Sequence, residues 1–105
     1  MKKFVGLCAC TMGLAHTFMA AESMENEAKK RGYETKVETQ GSDGIQNELT
    51  AEDIANADII LLSTAITPQN MERFDGYEIY EVSLAEAIKD IETVFNDIEE
   101  DLGIK

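Results

Sequence analysis

The chain is short of cations: 9 basic residues stand against 21 acidic ones in 105, a formal net charge of −12 at pH 7. Such a surface repels phosphate backbones, so neither nucleic acid nor an anionic membrane surface is expected to be held by charge. There is also no uninterrupted apolar run of about 18 residues, and no charged-then-apolar leader with a small-residue cleavage site. The expectation is a cytoplasmic protein without membrane insertion. Cysteine is confined to Cys8 and Cys10, separated by one residue. That is too close for an ordinary bridge, excludes a disulfide framework and fits a reducing compartment. His16 is the lone histidine; with the two thiols it lacks the second ligand cluster that a tetrahedral zinc site needs, so no metal is expected. A redox dithiol is disfavoured as well, because its second thiol ordinarily follows two residues on, along a helix. Repeats, low-complexity tracts and linkers are absent, and the length suits one domain, residues 1–105.

What is present alternates between strand and helix signals. Phe4 to Ala9 is continuously apolar and short, as in a central strand covered on both faces. From Ala15 to Arg31 the apolar positions Ala20, Ala21, Met24 and Ala28 recur at helical spacing, with Lys29, Lys30 and Arg31 at the negative end and Gly32 as stop. Tyr33 to Thr39 alternates as a half-exposed edge strand and runs into a loop, Gln40 to Asn47. Thr50 with Asp53 caps a short helix through Ala57, and Asp58 to Ser63 is a second central strand. Thr67 and Pro68 open a short helix through Phe74, Asp75-Gly76 turns the chain, and Glu78 to Val82 is the last strand. Ser83 with Glu86 forms a capping box for one terminal helix whose buried face is Leu84, Ile88, Ile91, Phe95, Ile98 and Leu102. Glu92, Asp97, Glu99, Glu100 and Asp101 read as its solvated face.

This order predicts an α/β fold: an open four-stranded parallel sheet, order 2-1-3-4, with helices on both faces and a phosphate-loop-like turn after the first strand. Ligands of such sheets bind at the carboxyl ends of the strands where the order reverses, and Cys10 stands there. A cysteine ending a strand, before a glycine turn and a helix, faces unpaired backbone N–H groups and a positive helix end, which stabilise a thiolate and then a phosphate on the sulfur. The expected phosphate-binding stretch is Thr11, Met12, Gly13, Leu14, Ala15, His16 and Thr17. His16 stands open between a structural role in the loop and a charge role at the phosphate. Cys8, inside the apolar run, reads as a buried core residue. The loops Gln40 to Asn47 and Thr64 to Gln69 emerge at the same edge, and Gln40, Gly41, Ser42 and Asn47 are candidates for partner contact.

Three functions fit such a cradle. A cysteine phosphatase would place an arginine six positions after the nucleophile to clamp the phosphate bidentately. Here that position is His16, and no Asp-Pro pair follows to supply a general acid. A phosphate-binding regulatory module needs no thiol. The loop is better suited to hold a phosphate and pass it on than to hydrolyse it, and replacing Cys10 by serine separates an enzyme from the regulatory module.

Cys10-Thr11-Met12-Gly13-Leu14-Ala15-His16-Thr17-Phe18-Met19-Ala20-Ala21-Glu22 resembles the Cys-Pro-Thr-Gly-Ile-Ala-His-Thr-Phe-Met-Ala-Ala-Glu signature of fructose-type IIB components of the bacterial sugar phosphotransferase system. Glu38-Thr39-Gln40-Gly41-Ser42, Asn47-Glu48-Leu49-Thr50, Asp53-Ile54 and Ala57-Asp58 resemble its second block; Glu72-Arg73-Phe74 and Ala85-Glu86-Ala87 resemble its tail. Thr11 and Met12 depart from the usual proline and threonine or serine. The resemblance implies a free-standing IIB phosphotransferase, without cofactor. In it Cys10 becomes a phosphocysteine by accepting phosphate from a phosphohistidine of a IIA protein, and delivers it to fructose or a fructose-like sugar bound in a membrane IIC permease.

Overall fold

The computed structural model describes residues 2–10, 14–41 and 44–103. The apolar run at the start forms β1 (Lys3–Ala9), in which Phe4, Val5, Leu7, Cys8 and Ala9 are fully buried. It pairs in parallel with β2 (Glu34–Gly41), from Lys3 opposite Glu34 to Ala9 opposite Gln40. Its other side pairs in parallel with β4 (Ile59–Thr64), from Phe4 opposite Ile59 to Ala9 opposite Thr64. β5 (Tyr80–Val82) lies parallel to β4 at the far edge. Helix α1 (Leu14–Lys30) lies on one face together with α3 (Leu84–Lys89) and α4 (Ile91–Leu102), over Phe4, Cys8, Ile59 and Leu61. The other face, with Val5, Leu7, Ile60 and Leu62, is covered by Leu49, by Ile54 of α2 (Ala51–Ala55) and by Phe74 of a 3-10 turn (Met71–Phe74).

One strand residue, Gly6, fixes how closely α1 approaches β1. Gly6 leaves room for the helix: a Cβ there would stand 2.9 Å from Met24 Sδ and 3.2 Å from the Phe4 ring. On the opposite face Asp53 ties α2 to the sheet. Its carboxylate accepts from Lys36 Nζ at 2.7 Å and Lys3 Nζ at 3.0 Å, and it completes the Thr50 capping box. The Lys36 contact first, then the Thr50 backbone N–H, hold this carboxyl well below the usual carboxylate range.

The expected four-stranded sheet is corrected to five strands in the order β3-β2-β1-β4-β5, with β3 (Gly44–Gln46) antiparallel to β2. The Gln40 to Asn47 stretch was expected to be a loop because of its glycines. Those glycines make a hairpin instead: Gly41 pairs with Gly44, whose φ of +97° suits a residue without Cβ. A return strand of only three residues is too short to show an alternation. Consequently β2 is not the half-exposed edge of the expectation; Val37 to Gln40 are buried, and Asn47 Nδ2 donates to the Val37 carbonyl at 3.0 Å. The phosphate-loop-like turn falls on Thr11, Met12 and Gly13, outside the described residues.

The single terminal helix is also corrected. It divides into α3 and α4 at Asp90, whose φ of −122° and ψ of 28° leave the helical region. No glycine or proline marks the break. Beyond it the buried face is Val94, Phe95 and Ile98, while Leu102 is exposed. The break also changes the acidic face. Glu99 is buried, pairs with Arg31 and accepts from the Tyr33 hydroxyl at 2.5 Å, whereas the expectation had it solvated. Arg31 further holds Glu27 at 2.6 Å and Asn96 Oδ1 at 2.9 Å, so the end of α1 is fastened to α4. The helix expected from Pro68 begins only at Met71, after Asn70 in the left-handed region at φ 61°.

Candidate functional site

Cys10 follows the last residue of β1, at the carboxyl edge of the parallel strands, and α1 begins four residues later. Its N–H donates to the Gln40 carbonyl at 3.1 Å, while the Ala9 carbonyl accepts from Ala65 N–H at 2.9 Å. The strand end is therefore gripped from both neighbouring strands. Cys10 is partly exposed and lines a cleft of about 220 Å³ with Gln40, Gly41, Gly44, Ile45, Ile66, Thr67 and Gln69. Both loop regions expected at this edge thus supply its walls. A hollow of about 370 Å³ between β5 and α4 is larger, but Glu81, Glu86, Asp97 and Asp101 line it, and it holds no thiol. Four carboxylates repel an anion, so that hollow is poorly suited to a phosphate.

The two cysteines differ in environment as their positions in the strand require. Cys8 is fully buried with Sγ 3.7 Å from Met24 Sδ, and burial pushes its thiol up to about 12. It is a core residue. In the first turns of α1, His16 is exposed, whereas Thr17 is fully buried. Among the described residues the Thr17 hydroxyl finds no hydrogen-bond partner. A buried polar group in that condition calls for a reason. Leu14 and Ala15 open α1, and Thr11, Met12 and Gly13 lie outside the described residues.

Of the four candidates for partner contact, Gln40 and Gly41 line the cleft. Asn47 lies in a separate groove with Phe18, Glu22 and Glu25, and Ser42 is outside the described residues. Gln40 is itself buried, and its amide is directed inward. It donates to Glu38 Oε2 at 2.7 Å and to the Gln69 carbonyl at 3.2 Å, and accepts from Gln69 N–H at 2.8 Å.

Sequence reasoning missed the support beneath the cleft. Glu38, placed by alternation on the exposed side of its strand, is fully buried, and both terminal nitrogens of Arg73 grip its carboxylate at 2.7 and 2.8 Å. Leu49 N–H adds a third donor at 2.7 Å. The partners lie 35 positions apart, so no local spacing could reveal them. The pair also settles where the cations go. The chain has two arginines, Arg31 and Arg73, and both are engaged by buried carboxylates, Glu27 and Glu99 for one and Glu38 for the other. Neither lines the Cys10 cleft.

Among the described residues no group of three or more His, Cys, Asp or Glu side chains could hold a metal ion, and no helix is long and apolar enough to cross a membrane.

Comparison with known proteins agrees with this arrangement. The family described as PTS system, Lactose/Cellobiose specific IIB subunit, matches residues 5–97. The PTS system fructose-like EIIB component 1 of Escherichia coli (strain K12) is 57% identical over 99 residues, 94% of this chain and 92% of that protein. The fructose-like EIIB component 2 of the same strain is 47% identical over 103 residues, 98% of this chain and 97% of its own length. The solution structure of an Enzyme IIB subunit of the PTS system from Escherichia coli K12 superposes with a TM-score of 0.91 at 55% identity, covering 97% of this chain and 94% of that one. By its sequence and its fold, the chain belongs to the IIB family of the sugar phosphotransferase system, together with the fructose-like IIB components, and is a phosphotransferase acting in sugar uptake.

Proposed function

We propose that Cys10 is the phosphoryl carrier, taking phosphate from a phosphohistidine of a IIA protein and passing it to a fructose-like sugar bound in a membrane IIC permease. The observation that carries this reading is the placement of a partly exposed thiol at the carboxyl end of the central strand, four residues before the start of a 17-residue helix. In the first step the Cys10 thiolate attacks phosphorus, a sulfur–phosphorus bond forms, and the nitrogen–phosphorus bond to the donor imidazole breaks. In the second, a sugar hydroxyl oxygen attacks phosphorus, the sulfur–phosphorus bond breaks, and the thiolate is regenerated as the hydroxyl gives up its proton. Backbone N–H groups of Thr11, Met12, Gly13, Leu14, Ala15, His16 and Thr17 stabilise the charge on the transferring oxygens, and the helix end adds its dipole.

Gly41 borders the approach of the protein partners to the cleft, Ser42 and Asn47 are further candidates for contact with them, and the backbone of Gln40 holds Cys10 in place. In this reading the chain works in the cytoplasm as one IIB unit, and fructose-like sugars are favoured over lactose or cellobiose because the fructose-like components share up to 57% of its sequence. The test is transfer of labelled phosphate from phosphorylated IIA. Cys10→Ser should lose the label and Cys8→Ser keep most of it. Label that persists in the Cys10 variant, or shifts to His16, would contradict the assignment.

A further inference from the structure

Gln40 joins two walls of the Cys10 cleft to the buried support beneath it. Its main-chain carbonyl accepts from Cys10 N–H at 3.1 Å. Its side-chain amide closes a two-way bond with the main chain of Gln69, Oε1 accepting from the N–H at 2.8 Å and Nε2 donating to the carbonyl at 3.2 Å. The same Nε2 donates to Glu38 Oε2 at 2.7 Å. The orientation of the amide follows from its neighbours: a carboxylate and a carbonyl demand the nitrogen, and an N–H demands the oxygen. The reverse orientation would set oxygen against two acceptors. Glu38 is in turn fixed by the two nitrogens of Arg73 and by Leu49 N–H. The sequence of contacts from Arg73 through Glu38 and Gln40 to Gln69 is short and largely shielded from water, since Glu38 is fully buried and Gln40 4% exposed. A single side chain thereby joins the backbone that holds the thiol to the far end of the 64–69 segment, while Ala65 N–H on the Ala9 carbonyl holds the near end.

We infer that Gln40 is a positioning residue, which fixes the 64–69 segment opposite Cys10 and so sets the width of the opening through which phosphoryl donor and acceptor reach the sulfur. The role in transfer rests on the carrier function proposed above; the role in cleft width does not. Gln40 acts on the site by holding its wall, without touching the phosphate. The Glu38–Arg73 pair acts one step further back, by keeping the amide oriented.

The test uses Gln40→Met, similar in length but without a hydrogen-bonding amide, in a Cys8→Ser background so that Cys10 is the sole thiol. Reactivity is measured with iodoacetamide and with a bulky aromatic disulfide. The wild-type cleft should discriminate against the bulky reagent, and Gln40→Met should raise the bulky-to-small rate ratio about fivefold or more, with the iodoacetamide rate within about twofold, since the thiol's backbone support persists. With phosphorylated IIA as donor, KM should rise about tenfold while kcat changes by less than about threefold, the pattern of lost positioning of the incoming group. Arg73→Lys keeps the charge and loses the fork, so it should shift both readouts in the same direction by less. An unchanged rate ratio in folded Gln40→Met overturns the inference. If that variant fails to fold, hydrogen exchange in the unmodified protein decides: the Gln69 amide must be protected far beyond an exposed loop N–H, and rapid exchange overturns the clamp. A changed thiol ratio in a protein that takes no phosphate from IIA would support the clamp and refute the carrier reading.

Discussion

Cys8 and Cys10 carry the same functional group two residues apart, and the strand separates their fates. Cys8 points into the layer under α1, where its thiol is pushed up to about 12 by burial. Because the folded state favours the protonated form, the stability that Cys8 contributes is complete below the ordinary thiol value of 9.0 and is lost progressively as pH rises from there toward 12. The difference in unfolding free energy between the unmodified protein and Cys8→Ala should therefore be flat up to about pH 8 and then shift against the unmodified protein, by at most about 1.4 kcal/mol per pH unit. Urea titrations at several pH values measure it. The hydroxyls of Tyr33 and Tyr80 are also held above their usual range, by burial first and then by carboxylate partners, but both are present in each variant and cancel. Glu38 and Arg73 make a second prediction at this scale. Arg73→Met leaves a carboxylate with no exposure and no counter-charge at hydrogen-bond distance, and should cost about 3–5 kcal/mol. Adding Glu38→Gln should recover a large part of that loss, so the two changes are strongly non-additive in urea unfolding.

Elements differed in how much of themselves the sequence disclosed, and the difference is physical. β1 and β4 are continuous apolar runs because both faces of the sheet are covered, and such runs stand out without knowledge of partners. The capping boxes at Thr50 and Ser83 are local, three residues across, and form as the spacing predicts. β3 is three residues held by pairing with β2, and the division of the terminal helix at Asp90 carries no breaker residue, so neither leaves a local pattern. The position of Cys10 was legible because it follows from strand order alone. Its supporting contacts were not, because the side chains of Glu38, Arg73 and Gln40 and the main chain of Gln69 meet through tertiary contact. The α1–β1 packing tests the element scale. Gly6→Ala sets a Cβ 2.9 Å from Met24 Sδ, and overpacking of this kind should cost about 1–3 kcal/mol. The sulfur ends a flexible side chain, which places the effect toward the lower end. In a Met24→Ala background the same substitution should be nearly neutral, and an undiminished cost there would mean that the backbone, rather than the sulfur, sets the helix distance.

At the scale of the molecule, the cations paired with carboxylates across elements fasten the scaffold and do not line the Cys10 cleft. Arg31 fastens α1 to α4, Lys3 and Lys36 secure α2 through Asp53, and Arg73 lies beneath the cleft, bound to Glu38. The Cys10 cleft is lined by Gln40, Gly41, Gly44, Ile45, Ile66, Thr67 and Gln69, without a lysine or arginine among them. A hydrolase must hold free phosphate esters from dilute solution and stabilise the leaving group, which calls for a cationic clamp and an acid. A carrier receives its phosphate from a docked protein, so the partner supplies the local concentration and the clamp is unnecessary. An acidic protein without a cation at the cleft wall should accordingly ignore small phosphate esters. The expected outcome is negligible Cys10-dependent hydrolysis of an aryl phosphate, with rapid labelling by phosphorylated IIA and release of the label to sugar only when IIC-containing membranes are added. Robust turnover of the aryl phosphate by the protein alone, abolished in Cys10→Ser, would instead assign it to the cysteine phosphatases, and sugar phosphorylation without membranes would move the sugar site from IIC onto this chain.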